Sequence, residues 1–549
     1  MTESSHPDSL LDVYDVDFLA YVLNENRDQV HQRLTDGGPL LAGEREAVLN
    51  SLFAMENSVR PQSPNQILQR EIQLATYQAN LGGSLIALYR RACGGGGVDI
   101  SAATDEVERL LLDFAASTYP LHLQLDFNSA RSPKQHYPTL AFAFINHPNN
   151  QLLQDAVMAD GVLSKLYSDP SRGALRSTGQ VGVIPMLMLF GDQIVNAAWH
   201  WAHFDSARPS FDEYSRRILA VIRVLKAGLR GDEALVPMRI GLAGVLLPVG
   251  MDSVGFGGAR VRRADERDEY LTRSIPITGQ LGTTNAQGEA VKIDYVGNLT
   301  LELDIPFKIV LRKLDKANTW SDQLRDLSPS GEPVEHLRLA LILAGGGETS
   351  TVFRTWTSVV DPFTTAASIG WNDPTQGLNI LPAQLIEDQV ASWTEWTSLI
   401  DKQQTAQTNV SIRRILRAVS ERKEPEDTLI DAVIVWENLF GSAQETTLRV
   451  TTSVAWMLGA DVEKRKALAD ELRKIYNHRS YIVHGNAGLK TSQTGPYARR
   501  AIEISIELLR TVFKDHPELL KLKDGAARST LVLLDALESS GAADGPETR

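Results

Sequence analysis

Apolar residues recur at three- and four-residue spacing over 64–93, 103–118, 149–168 and 211–230, and each span reads as a helix. In "FDEYSRRILAVIRVLKAGLRG" the apolar face is Ile218, Val221, Ile222 and Leu225, with Gly231 as the terminator. From about 232 the texture changes. "VKIDYVGNLTLELDIPFKIVLRKL" (291–314) and "STVFRTWTSVV" (350–360) alternate and favour branched residues, which predicts strands. The segment 252–290, rich in Gly, Arg and Asp, reads as long loops. After "GLNILPAQL" the pattern is helical throughout. "PEDTLIDAVIVWENLFG" is followed by "ETTLRVTTSVAWMLG", where Ser442 and Glu445 have capping-box spacing and Gly459 stands at the end. "DVEKRKALADELRKIYNHRSYIVHG" comes next, and "GPYARRAIEISIELLRTVFKD" opens with Pro496 in its first turn. A short last helix covers 527–537, and short connections predict antiparallel neighbours in a bundle. The expected fold is mainly α. A mostly helical region (1–231) and a mixed α+β region (232–400) precede an all-α bundle (409–540), with a disordered tail at 541–549.

Length adds a constraint: 549 residues exceed one ordinary core, so roughly two to four domains are expected. Charge adds another. With 55 basic against 68 acidic residues the net charge is −13, which argues against a surface basic all over but leaves room for a local basic groove. The one cysteine, Cys93, can form no internal disulfide and suits a reducing cytoplasm. The start of the chain lacks the blocks of a signal peptide. Its most apolar windows, 181–190 and 240–251, are shorter than the ~20 residues a membrane span needs, so no membrane is expected as a partner.

Several familiar catalytic motifs are missing: no G-x-S-x-G, no Walker-type loop, no H-E-x-x-H and no C-x-x-C. The glycine runs 93–99 and 344–349 read as turns. His200 and His203, three apart in "WHWAHFD" with Asp205 near, have a spacing that can serve a metal, though packing of an aromatic-rich patch explains them better. Trp356, Trp371, Trp393 and Trp396 read as core anchors.

One stripe breaks its own pattern. Leu468, Leu472, Ile475, Arg479 and Ile482 follow at spacings of four, three, four and three, so Arg479 holds a core position. A guanidinium buried alone costs several kcal/mol and must find an anion. Glu437, an acid on an almost wholly apolar helix, is the expected partner, with Asp431 as second choice. His484 stands just before Gly485, at the negative end of the same helix dipole. Positions five apart on a straight helix diverge by about 140°, so Arg479 and His484 converge only through arginine's reach, a loosened last turn or a partner helix. A buried ion pair plus a helix cap would account for both residues without any chemistry.

"RSYIVHG" resembles the arginine–histidine signature of HEPN domains, with four to six residues between the two. The flanking "DTLIDAVIVWENLFG", "ETTLRVTTSVAWMLG" and "LRKIYNHRSYIVHGN" resemble the Apea-like HEPN subgroup, over roughly 409–515. The resemblance implies a helical bundle that dimerises and sets two copies of the motif across a shared cleft. It further implies a metal-independent endoribonuclease without cofactor, of the kind found among toxins and phage-defence proteins. His484 then takes the catalytic histidine's place and Arg479 the arginine's, Ser480 stands at the motif's auxiliary position, and Glu437 or Asp431, read from the helix spacing and not from the resemblance, would support Arg479. Family members often carry Asn, Asp or His directly after the arginine, whereas Ser480 cannot ionise usefully. Arg413, Arg414, Arg417 and Lys474 are the candidate phosphate contacts for RNA, and an unidentified trigger would act on the N-terminal region. Two other readings stand beside this one: a catalytically silent HEPN module for dimerisation or protein binding, and a metal enzyme centred on His200 and His203.

Overall fold

The computed structural model describes residues 8–11, 14–35, 43–58, 70, 72–124, 140–169, 174–176, 183–272, 275, 277, 279–285, 288–307, 309, 332–345, 351–363, 368–371, 383–484 and 491–541. The protein is mainly α, with a smaller sheet region ahead of a helical C-terminal part. Among the described residues no helix is long and apolar enough to cross a membrane.

In the N-terminal part, α1 (Val16–Leu23), α2 (Arg27–Thr35), α3 (Glu106–His122), α4 (Ile194–Asp205) and α5 (Phe211–Arg230) surround one core. α5 spans the expected residues: Ser210 and Glu213 close a capping box, and Gly231 ends the helix at φ 85°. The expected helix at 64–93 lies partly outside the described residues. Its described part is interrupted by a turn, where Gln78 bridges Gly83 and Gly82 takes φ 63°, before a helix resumes at Leu85–Ala92. The span 149–168 is likewise divided. Its α-helix stops at Ala159, and Asp160 accepts from the amides of Val162 and Leu163, redirecting the chain into a 3-10 turn. The run 93–99 opens with a turn at 93–94 and continues without regular structure, whereas 346–350 lie outside the described residues.

A six-stranded antiparallel sheet follows. Its strands are β1 (Ala234–Ala243), β2 (Ser253–Phe256), β3 (Ala259–Arg263), β4 (Leu299–Phe307), β5 (Phe353–Val359) and β6 (Ser368–Trp371), ordered β6-β5-β1-β4-β3-β2. The expected long loops at 252–290 are therefore corrected. Gly257, at φ 58°, and Gly258 turn a hairpin from β2 to β3, and α6 (Glu266–Thr272) follows. Arginines tolerate this strand because Glu302 on β4 accepts from both Arg260 and Arg262. Arg262, only 4% exposed, also forks onto Asp268 of α6 at 2.6 and 2.9 Å. Gly241 on β1 is required by packing, since a Cβ there would lie 2.0 Å from the Trp356 indole nitrogen.

His200 and His203, whose spacing could also serve a metal, are taken up by packing and a hydrogen bond instead. His200 places Nε2 2.6 Å from Ser358 Oγ on β5, whereas His203 lies flat on Tyr270, ring centroids 3.5 Å apart. Among the described residues no group of three or more ligating side chains gathers. Burial pushes the His200 pKa down to about 3. Unfolded, the ring titrates near ~6.5, so it contributes stability above that pH which is lost as pH falls towards 3. His200→Gln is expected to flatten the decline of Tm between pH ~6.5 and ~4 relative to wild type. Parallel declines in thermal melts of the two proteins would refute this assignment.

The second core runs from the sheet into the C-terminal helices without a break. Its helices are α7 (Glu332–Ala344), α8 (Glu387–Gln403), α9 (Asn409–Ser420), α10 (Pro425–Phe440), α11 (Thr446–Leu458), α12 (Val462–Val483), α13 (Thr491–Lys514) and α14 (Gly525–Gly541). Trp393, fully buried, donates to Leu337 O at 2.8 Å and ties α8 to α7. Trp356 is also buried and Trp396 partly so, as core anchors should be; the Trp371 side chain lies outside the described residues. Two local expectations change. Ser442 does not cap α11: Glu445 holds the cap position at φ 54°, and the Ser442 hydroxyl turns to Gln444 O. Pro496 is not in a first turn, because α13 starts five residues earlier, at Thr491. That extra turn is held from outside, by His478 of α12 bonding Thr494 at 3.1 Å and packing on Tyr497 at 4.6 Å. The last helix reaches Gly541, and 542–549 lie outside the described residues.

Candidate active site

α10 is the axis of the bundle and touches α9, α11, α12, α13 and α14. Its sequence explains that position: Leu429, Ala432, Val433, Val435, Trp436, Leu439 and Phe440 are apolar almost all round and fully buried. Trp436 finds a partner for its indole N–H in Ser505 Oγ, at 2.8 Å. The C-terminal end of α10 is locked by Arg528 of α14, itself 1% exposed. Its guanidinium donates to Leu439 O and Asn438 O at 2.8 Å and to Leu522 O at 3.0 Å, satisfying carbonyls that a helix end leaves open. Glu437 lies on this fixed last turn.

α12 begins at the Asp461 cap, and its stripe buries Leu472 and Ile475 before reaching Arg479. The expected pair forms. Arg479 Nη2 stands 3.3 Å from Glu437 Oε2, with the two side chains 20% and 23% exposed. Tyr476, one turn earlier, donates its hydroxyl to the other Glu437 oxygen at 2.6 Å. Burial first, and then the Glu437 carboxylate, push the Tyr476 pKa up to about 12, so at neutral pH the phenol remains a donor. Tyr476 was absent from the sequence-derived site, although its three-residue spacing from Arg479 places both on one helix face. Arg479 is incompletely satisfied: its Nε is buried and has no acceptor among the described residues.

His484 caps α12, its amide bonding Ser480 O at 3.0 Å. Its side chain is exposed, and so are Tyr481 and Val483, at 50% each. Ser480 is half-buried. No contact joins His484 to Arg479 among the described residues. His478, by contrast, is committed to α13, and burial draws its pKa down.

The other candidates are dispersed. Asp431 is not the partner of Arg479: on α10 it is 1% exposed and receives Arg414 and, at 2.7 Å, Arg422. Six residues, about 1.7 turns, separate it from Glu437, which turns it roughly 120° away around α10 to face α9 instead. Arg414, expected on RNA, is thereby engaged inside the protein. Arg417 stands 4.0 Å from Glu421, and Arg413 is exposed and donates to Asn409 O. Lys474 is exposed on α12. A cleft of about 690 Å3 reaches Glu437 and Tyr476 between α10, α11 and α14. Its charged lining residues are Glu437 and Asp524, both acidic, so a phosphate is disfavoured there.

No protein-family model matches the chain, and no curated protein or solved structure shows significant similarity to it.

Proposed function

We propose that the C-terminal bundle is a HEPN-type endoribonuclease that cleaves RNA through the substrate's own 2′-hydroxyl, working as a homodimer. The observation that carries this reading is the partly exposed arginine on the core stripe. Arg479 sits at a core position, meets Glu437 at 3.3 Å through one Nη, and keeps 20% of its side chain exposed. A guanidinium held by one carboxylate and still reached by solvent can offer its remaining donors to phosphate oxygens.

In the reaction the 2′-oxygen attacks phosphorus while a base takes its proton. The 5′-oxygen leaves with a proton from an acid, and the products are a 2′,3′-cyclic phosphate and a 5′-hydroxyl. His484 of one protomer supplies one proton transfer and the same residue of a second copy the other, while Arg479 neutralises the charge growing on phosphorus. Exposure of His484 at the helix end leaves its ring open to substrate. A role in phage defence or as a toxin, triggered through the N-terminal region, accords with this chemistry.

The test is incubation of the full chain with total cellular RNA and EDTA. Cleavage to 2′,3′-cyclic ends is expected, and His484→Ala should reduce it by at least ~100-fold without changing the circular-dichroism spectrum. Undiminished cleavage by folded His484→Ala would sink the assignment. The exposed Tyr481 and Val483 beside His484 favour a second reading, a silent dimerisation module. That reading expects a dimer in light scattering and intact RNA in the same assay.

A further inference from the structure

A cavity of about 320 Å3 lies in the N-terminal part, walled by α1, α3, α4, α6 and the turn between α4 and α5. That size is at the lower end for small-ligand pockets, about 300–1,000 Å3, and suits one small ring system. Its wall is built of rings: Tyr21, Tyr119, His122, Trp199, His203 and Tyr270. They hold one another in place. His122 stacks on Trp199 at 5.0 Å, Tyr119 meets the edge of Trp199 at 5.9 Å, and His203 covers Tyr270. The Tyr119 hydroxyl is already spent on Pro209 O, at 3.0 Å, and burial raises its pKa, so its ring remains neutral. Rings fixed beforehand lose little rotamer freedom when a ligand arrives.

The rim is charged. Asp15 is 6% exposed and turned to the backbone amide of Asp17, at 2.7 Å. Asp17 is shared by two arginines, Arg27 at 2.8 Å and Arg208 at 3.8 Å. The Arg208 side chain is 62% exposed, and this loose ion pair is the only contact of its guanidinium among the described residues. Both carboxylates are therefore occupied, while a planar fork of donors stands open at the mouth.

We propose that this cavity binds a small flat aromatic or heteroaromatic ring bearing an anionic group, phosphate or carboxylate, with the ring against the aromatic wall and the anion on Arg208. Such a site would give the N-terminal region a ligand of its own, and it stands whether or not the bundle cleaves RNA.

The experiment is calorimetric titration of the full chain with four probes: adenosine monophosphate, adenosine, indole-3-acetate and indole. At least one anionic probe is expected to bind with one-to-one stoichiometry, about tenfold or more tighter than its neutral counterpart. Comparing the phosphate with the carboxylate tells which anion the rim prefers. Arg208→Ala changes an exposed side chain, so the fold is kept, and it should remove the advantage of the anion. Three results overturn the proposal: no anionic probe binding below about 1 mM, neutral probes binding as well as anionic ones, or Arg208→Ala binding like wild type.

Discussion

Arg479→Lys is expected to fold as wild type and to cleave RNA at least ~100-fold more slowly, since an ammonium cannot offer two parallel donors to phosphate oxygens. The stability cost is small because Arg479 and Glu437 are each about a fifth exposed and meet at 3.3 Å, which makes the pair worth roughly 1 kcal/mol. Replacing Arg479 and Glu437 together by apolar residues would strand the Tyr476 hydroxyl, which donates to Glu437 at 2.6 Å. The cleaner variant is therefore the triple change Arg479→Met, Glu437→Leu and Tyr476→Phe, which removes both charges together with the phenol that bonds one of them and leaves only the partly buried Thr447 hydroxyl to find another partner. Melting should show it as stable as the wild type to within about 1 kcal/mol, with cleavage lost. Cleavage at the wild-type rate by the triple variant would make the arginine structural and remove the basis of the proposed function.

The largest loss of stability is expected from Arg528→Leu, which should cost roughly 3–5 kcal/mol in urea unfolding followed by circular dichroism. Three carbonyls lose their donor at once: those of Asn438, Leu439 and Leu522. No water replaces it easily, because Arg528 is 1% exposed, and each stranded acceptor costs about 1–3 kcal/mol. Gly525 shows how closely the two helices meet, since a Cβ there would lie 2.5 Å from Gly441 O. A loss below ~1 kcal/mol would mean that the end of α10 is held by something other than this guanidinium.

Much of the C-terminal part was legible. Leu429, Val433, Trp436 and Phe440 lie on one face by spacing, and all four are fully buried. Arg479 on the α12 stripe demanded an anion, and Glu437 was the acid standing on the most apolar helix. Tyr476 escaped notice because a tyrosine on a core stripe needs no explanation, while its hydroxyl has meaning only once the Glu437 oxygen lies opposite it. The β2–β3 hairpin was missed for a related reason. Arg260 and Arg262 make a poor strand when read alone and a good one beside Glu302.

The sequence by itself determined what depends on neighbours along the chain. Periodicity set the helices, Ser210, Glu213 and Gly231 set the ends of α5, and the apolar excess of α10 set its place at the centre. Local patterns suffice there because the apolar face, the cap and the terminating glycine all lie within a few turns of one another. Tertiary structure alone decided which charge meets which. Asp431 went to Arg414 and Arg422 rather than to Arg479, and His200 to Ser358, a residue 158 positions away. It alone moved the start of α13 back to Thr491, through His478, and assembled six rings from four helices into one cavity wall. Coulomb attraction and hydrogen bonding act over a few ångströms of space, regardless of separation along the chain, so only the packed fold can pair such groups.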